Sequence, residues 1–153
     1  MPMKFLYLLH VLATVIWVGG MFFAHLCLRP VALAQLEPPQ RLKLWRGVFG
    51  RFFPWVWAAV ILLIASGLML ILQLGGMASV PIYIHIMATI GYVMAGIFAF
   101  IFFGPYPRLR QAVASEDWPA AGAALNRIRP LVGVNLTLGL VNVVLVFIAP
   151  LFG

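Results

Sequence analysis

Two histidines occupy equivalent places in two stretches of this chain that match one another. From His10 the sequence reads HVLATVIWV and from His85 it reads HIMATIGYV, an offset of 75 residues. Downstream, RFFPWV from Arg51 is echoed by RIRPLV from Arg127, an offset of 76. Two matches at nearly one offset point to a duplicated two-helix unit that contributes one imidazole from each copy. The chemistry open to such a pair is metal ligation. A neutral imidazole keeps one ring nitrogen free as a ligand. Two of them facing each other suit a b-type haem held between helices. An ionisable side chain inside hydrocarbon is in any case a functional hypothesis by default.

On a helical wheel His10, Thr14, Trp17, Met21 and His25 form one stripe, and His85, Thr89, Tyr92 and Gly96, with Phe103 in line, form its counterpart. Both stripes are expected to face the bundle interior. Trp17 and Tyr92 would then lie about two turns deeper than the histidines, as walls for a flat macrocycle. Thr14 and Thr89 would orient nearby groups, although a helical Thr usually bonds back to a carbonyl. Asn142 falls near the histidine level and corresponds to Ser66 at the repeat offset. It is the expected contact to a ligand or redox substrate, and Asn135 shares its face. The expected cofactor-binding set is therefore His10, His85, Thr14, Trp17, Thr89, Tyr92 and Asn142, with His10 and His85 as the metal ligands. The competing account is structural, with packed, hydrogen-bonded histidines and interhelical asparagine bonds. His25 shares the face of His10, but its repeat equivalent is Phe100, so an interfacial histidine beside Arg29 is the expectation there. Copper is the alternative metal. Met87, with Met1, Met3 and Met77 near the outer face, supplies thioethers, and thioether and imidazole suit Cu(I). His85 and Met87 alone make a poor chelate, because residues two apart on a helix point about 200° apart.

The elements that must position these groups are membrane helices. Of the 153 residues 65% are hydrophobic and 8% charged, a composition that requires an integral membrane protein. Four apolar stretches, 5–28, 52–74, 80–103 and 131–150, reach the roughly 20 residues that cross a bilayer core. The expected fold class is all-α, a four-transmembrane-helix bundle built from two tandem two-helix repeats. The halves, about 1–75 and 76–153, form one integral membrane domain across 1–153. The net charge is +7, and its distribution is one-sided. Arg29, Arg41, Lys43, Arg46 and Arg51 lie between the first two spans, and Arg108, Arg110, Arg127 and Arg129 between the last two, with Lys4 alone opposite. The positive-inside rule puts both basic loops in the cytoplasm and both termini outside, in a bacterial-type inner membrane. These charges meet anionic lipid headgroups, and nucleic acid is not an expected partner.

An Ala32-Leu33-Ala34 stretch resembles a signal-peptidase site, but the preceding apolar segment is too long and matches the third span, so it is read as a retained helix. The lone Cys27 has no internal disulfide partner. Between the first two spans, Pro38-Pro39 begins a basic, Trp45-bearing interfacial stretch. Glu116 and Asp117 before Pro119 mark the start of a short helix leading into the fourth span. Gly75-Gly76 and Pro81 form a tight outer turn. Glycines scattered through the spans permit close helix contact. There is no Cys-x-x-Cys-His, phosphate-binding glycine loop, Ser-His-Asp set or carboxylate pair.

The residues HVLATVIWVGGMFF, with a histidine followed by Trp17-Val18-Gly19-Gly20, resemble the first helix of copper resistance D (CopD) membrane proteins. They are also similar to the related HemJ-type protoporphyrinogen oxidases. The likeness extends through the R-x-x-P of Arg51 and Pro54, through Gly67, and through Ile84-His85. It implies a helical membrane bundle in which His10 matches the family's first-helix histidine and His85 its third-helix one. The oxidase branch is haem-associated and carries a Lys two residues after the third-helix histidine. Here that position is Met87, a departure from oxidase chemistry. The leading expectation is thus a small redox protein, for electron transfer or redox sensing, with haem b between His10 and His85. Its partners would be lipids, a quinone or membrane redox protein, and a second copy in a homodimer. Copper transport or resistance through the same histidines plus methionines is the alternative. Whether any catalysis occurs is left open.

Overall fold

The computed structural model describes residues 1–153 and contains helices and turns without strands. Four helical segments, Met3–Gln35, Pro38–Gln73, Ile82–Ala114 and Trp118–Leu151, are long and apolar enough to cross a membrane. Each outruns the stretch expected from hydropathy, because helix continues into the basic segments.

The first segment is α1 (Met3–Phe22), a π-helical turn (Phe23–Leu28) and α2 (Arg29–Gln35). The second is one helix, α3 (Pro38–Gln73), so the expected interfacial stretch is its first part rather than a separate element. Its opening prolines sit where helix amides have no intrahelical partner. The third segment is α4 (Ile82–Phe103) followed by α5 (Pro105–Ala114), bent at Gly104. There the chain folds so tightly that a Cβ would stand 2.7 Å from the Phe100 carbonyl oxygen. The fourth is α6 (Trp118–Ile148), whose Asp117 cap accepts from the Ala120 amide at 3.2 Å. The acidic start signal therefore opens the fourth span itself, not a separate short helix. The outer turn uses Gly75 and Gly76 at φ 98° and 90°, conformations that glycine enters without steric cost.

Helix α1 packs chiefly on α3 and α4 on α6, while α6 also touches α1 and α5. The bundle is thus two helix pairs joined through α6. Gly139 permits one close crossing: a Cβ there would stand 2.8 Å from Val18 Cγ2 and 3.2 Å from Met94 Cε. At the basic end an aromatic cluster fastens α3 to α4 and α5. Phe49 stacks on Phe53 at 4.9 Å, and Phe53 meets Tyr106 edge-on at 4.8 Å and Phe98 at 5.3 Å. Each such pair contributes about 0.5–1.5 kcal/mol beyond area burial. Outward-facing side chains such as Val15, Ile61, Leu72 and Phe147 form the apolar surface that a bilayer covers.

Candidate metal site in the bundle interior

His10 lies on the inward face of α1. Its neighbours on that face, Leu6, Ala13, Trp17 and Met21, are buried, and His10 itself is half-buried. Its Nδ1 is 2.9 Å from Ser66 Oγ on α3. Ser66 has one hydroxyl proton, and the Leu62 carbonyl takes it at 2.5 Å, the back-bond common for a helical serine. Ser66 Oγ is therefore the acceptor and His10 Nδ1–H the donor. That inference fixes the tautomer and leaves a lone pair on Nε2, the arrangement by which an outer hydrogen bond prepares a histidine for metal. Gly67 supplies room, since a Cβ there would stand 3.3 Å from His10 Cε1. Thr14 donates to the His10 carbonyl at 2.9 Å, which shapes the backbone and not the ring.

His85 is placed differently. The inward face of α4 is set by the buried Met94, Phe98 and Ile101, and His85, Tyr92, Gly96 and Phe103 lie about 180° around the helix from Met94. Tyr92 is 52% and Phe103 71% exposed. Thr89 and Gly96 are exposed as well, and His85 is half-buried. Thr89 Oγ1 bonds back to the His85 carbonyl at 2.8 Å. Apart from the half-buried His85, the stripe expected to face inward is thus exposed on the outside of the bundle, opposite the buried Met94 face. Trp17 is buried edge-on to Phe98 at 6.3 Å, so Trp17 and Tyr92 do not flank a common plane. The physical reason is that α4 is apolar nearly all round. Its bulky Met94, Phe98 and Ile101 fill the core, and the face bearing His85 is left outside.

The interior face of α4 instead carries Met87, one heptad before Met94. Asn142 Nδ2 donates to the Met87 carbonyl at 3.2 Å, and Asn135 Nδ2 to that of Met94 at 3.0 Å. Both asparagine Oδ1 atoms are buried without a hydrogen-bond partner. The matched spacing of Met87–Met94 and Asn135–Asn142 is the sequence signal that identifies this face. His10 lies about 10 Å along α1 from its start and Met87 about 8 Å along α4, so the two are at similar depth. At this level the inward faces carry His10 and the Asn142 Oδ1, with Met87 half-buried on α4 one heptad before Met94. The molecule has no group of three or more His, Cys, Asp or Glu, which does not suit a closed zinc-type centre.

His25 sits in the π-helical turn against α6. A Cβ at Gly133 would stand 3.3 Å from its Cε1 and Nε2, and it borders a groove with Pro130, Thr137 and Leu138. Arg29 and Arg129 lie close by, as expected of an interfacial histidine.

An all-helical bundle with four membrane-length segments defines a multi-pass membrane protein, here with an imidazole bonded to Ser66 on an interior face. The chain belongs to the copper resistance protein D family, CopD, whose profile matches residues 46–149. That match covers Ser66, Met87 and Asn142, while His10 precedes it. No curated protein and no solved structure matches the chain.

Proposed function

We propose that this protein handles copper within the membrane, as a transport or resistance component, and that His10 is its principal ligand. The observation that carries the reading is the His10–Ser66 bond, which commits Nδ1 and leaves Nε2 for a metal on an interior face. Cu(I) accepts imidazole and thioether ligands, and Met87, at similar depth on α4, is the proposed source of the thioether. Neutral ligands neither trap a monovalent ion by charge nor leave a buried carboxylate once it departs. Membership of the CopD family supports copper as the cargo. Haem b between His10 and His85 lacks comparable support, because the second axial ligand lies on the lipid side of α4. Electron exchange with a quinone loses its basis with it. The one-sided distribution of arginine and lysine supports an inner-membrane setting with both termini outside.

The test is metal content and Cu(I) competition titration on protein purified from copper-supplied cells, with an absorption spectrum of the same sample. Stoichiometric copper that drops at least tenfold in His10→Ala and is unchanged in His85→Ala is the expected result. Copper retention indifferent to His10→Ala, or a stoichiometric Soret band lost in His85→Ala, overturns the proposal.

A further inference from the structure

Between α3 and α5, at the basic end of the molecule and apart from the His10 site, a groove of about 450 Å³ is walled by Lys43, Arg46 and Arg110. Gly47 and Gly50, one helical turn apart, form part of its floor, and the space over Gly47 is open: a Cβ there would meet nothing within 4 Å. The three cations are spent on no carboxylate. Arg110 lies over the Tyr106 ring at 4.8 Å and Lys43 over the Trp118 ring at 5.6 Å, contacts that use the face of a ring and leave N–H groups available. Tyr106 is only 5% exposed and is fixed by its edge-on contact with Phe53. Its hydroxyl comes to the groove over Gly50, 3.5 Å from where a Cβ would be. A buried tyrosine normally finds a partner for its hydroxyl, and this one opens onto a cationic wall.

The groove's level in the fold points to the ligand. It lies directly beside the Phe49–Phe53–Tyr106 cluster, with Trp45 and Trp118 flanking, where the membrane-crossing part of α3 gives way to its basic part. The change from apolar to basic sequence along α3, at Gly50 and Arg51, marks headgroup depth. Basic pockets between helices at that depth take anionic headgroups, and a phosphate offers the several oxygens that three cations and a hydroxyl donor require. We infer that this groove is a binding site for the phosphate of an anionic phospholipid, with Arg46, Arg110 and Lys43 meeting its charge and Tyr106 donating to one oxygen.

The experiment uses the full chain in detergent, titrated with phosphatidylglycerol and followed by native mass spectrometry, with phosphatidylcholine as the neutral comparison. Lys43→Gln/Arg46→Gln is expected to weaken phosphatidylglycerol binding at least about thirtyfold, because each change removes a charge-assisted hydrogen bond to the phosphate. Tyr106→Phe, which keeps the ring and its packing, is expected to weaken it about fivefold. The control Arg108→Gln/Arg127→Gln removes the same charge elsewhere on the basic side and is expected to bind as the parent does. Equal losses in the control and in the groove variants would mean general surface charge and overturn the site. Inorganic phosphate binding that depends on Tyr106 without lipid, and that phosphatidylglycerol does not displace, would overturn the lipid assignment in favour of a soluble anion.

Discussion

Gly67 and His10 meet closely across the α1–α3 interface: a Cβ on Gly67 would stand 3.3 Å from Cε1, so the ring would have to give by a few tenths of an ångström, and 3.8 Å from Nδ1 of the imidazole. The alanine that helix propensity would prefer, by roughly 0.5–1 kcal/mol, is therefore opposed by the ring it would displace. Gly67→Ala is expected to leave thermal stability equal or slightly higher while Cu(I) affinity falls about threefold, since a ring pushed by a few tenths of an ångström uses up most of a ligand's geometric tolerance. Denaturation and copper titration on one sample check this. A parallel fall in both quantities would point to damage of the fold and sink the argument.

Ser66, the preceding residue of α3, holds the same edge of the ring through Nδ1. Ser66→Ala removes the acceptor 2.9 Å from Nδ1 and leaves the Leu63 carbonyl as the ring's remaining partner, and a cost of about 0.5–1.5 kcal/mol is expected. Nitrogen NMR of the His10 ring is the direct probe: the parent should show the Nδ1-protonated tautomer and the variant a mixture, with Ser66→Thr restoring the parent spectrum. Identical ring spectra in parent and Ser66→Ala would show that the hydroxyl does not set the tautomer.

Met87→Leu separates ligation from packing. Leucine nearly conserves the volume, so stability should change by less than about 1.5 kcal/mol. Loss of the thioether is expected to weaken Cu(I) about fivefold. Met77→Leu, in the exposed turn before α4, should behave as the parent. The reading fails if the two variants titrate alike.

The crossing at Gly139 makes a stability prediction independent of any metal. Gly139→Ala forces a methyl against Val18 and Met94 and should cost about 1–3 kcal/mol by overpacking. Adding Val18→Ala removes the nearest obstruction, so the double variant should recover most of that loss. Strictly additive losses in a denaturant titration would argue that the helices do not cross closely there.

Hydropathy made the four spans legible, because length survives without knowledge of packing, and the likeness of the two sequence halves singled out His10 as a candidate. The direction of His85 was not legible. Both α1 and α4 present apolar side chains outward, and the polar groups of α4, His85, Thr89 and Tyr92, share one stripe that a wheel assigns to the interior by default. Repeat equivalence then implied that His85 must look inward as His10 does. What decides the matter is bulk: Met94, Phe98 and Ile101 interlock with Trp17, Phe53 and Trp57, and that interlocking is a property of the assembled bundle. Asn135 and Asn142 did carry the answer in their spacing, since two polar groups one heptad apart need acceptors one heptad apart, and Met87 and Met94 provide them.

The π-helical turn at Phe23–Leu28 has a consequence for how the first membrane segment tolerates change in length. A turn wound with an extra residue can surrender it and relax to ordinary α geometry while everything on either side keeps its heading. Excision of the exposed Cys27 should therefore be absorbed where it occurs, with His10 still aimed at Ser66 and Arg29 still at the basic end. The same excision at Ile16 would swing the two ends by about 100° relative to each other. One short stretch thus serves as a slip joint between the end of the segment that bears the proposed ligand and the end that bears the charge.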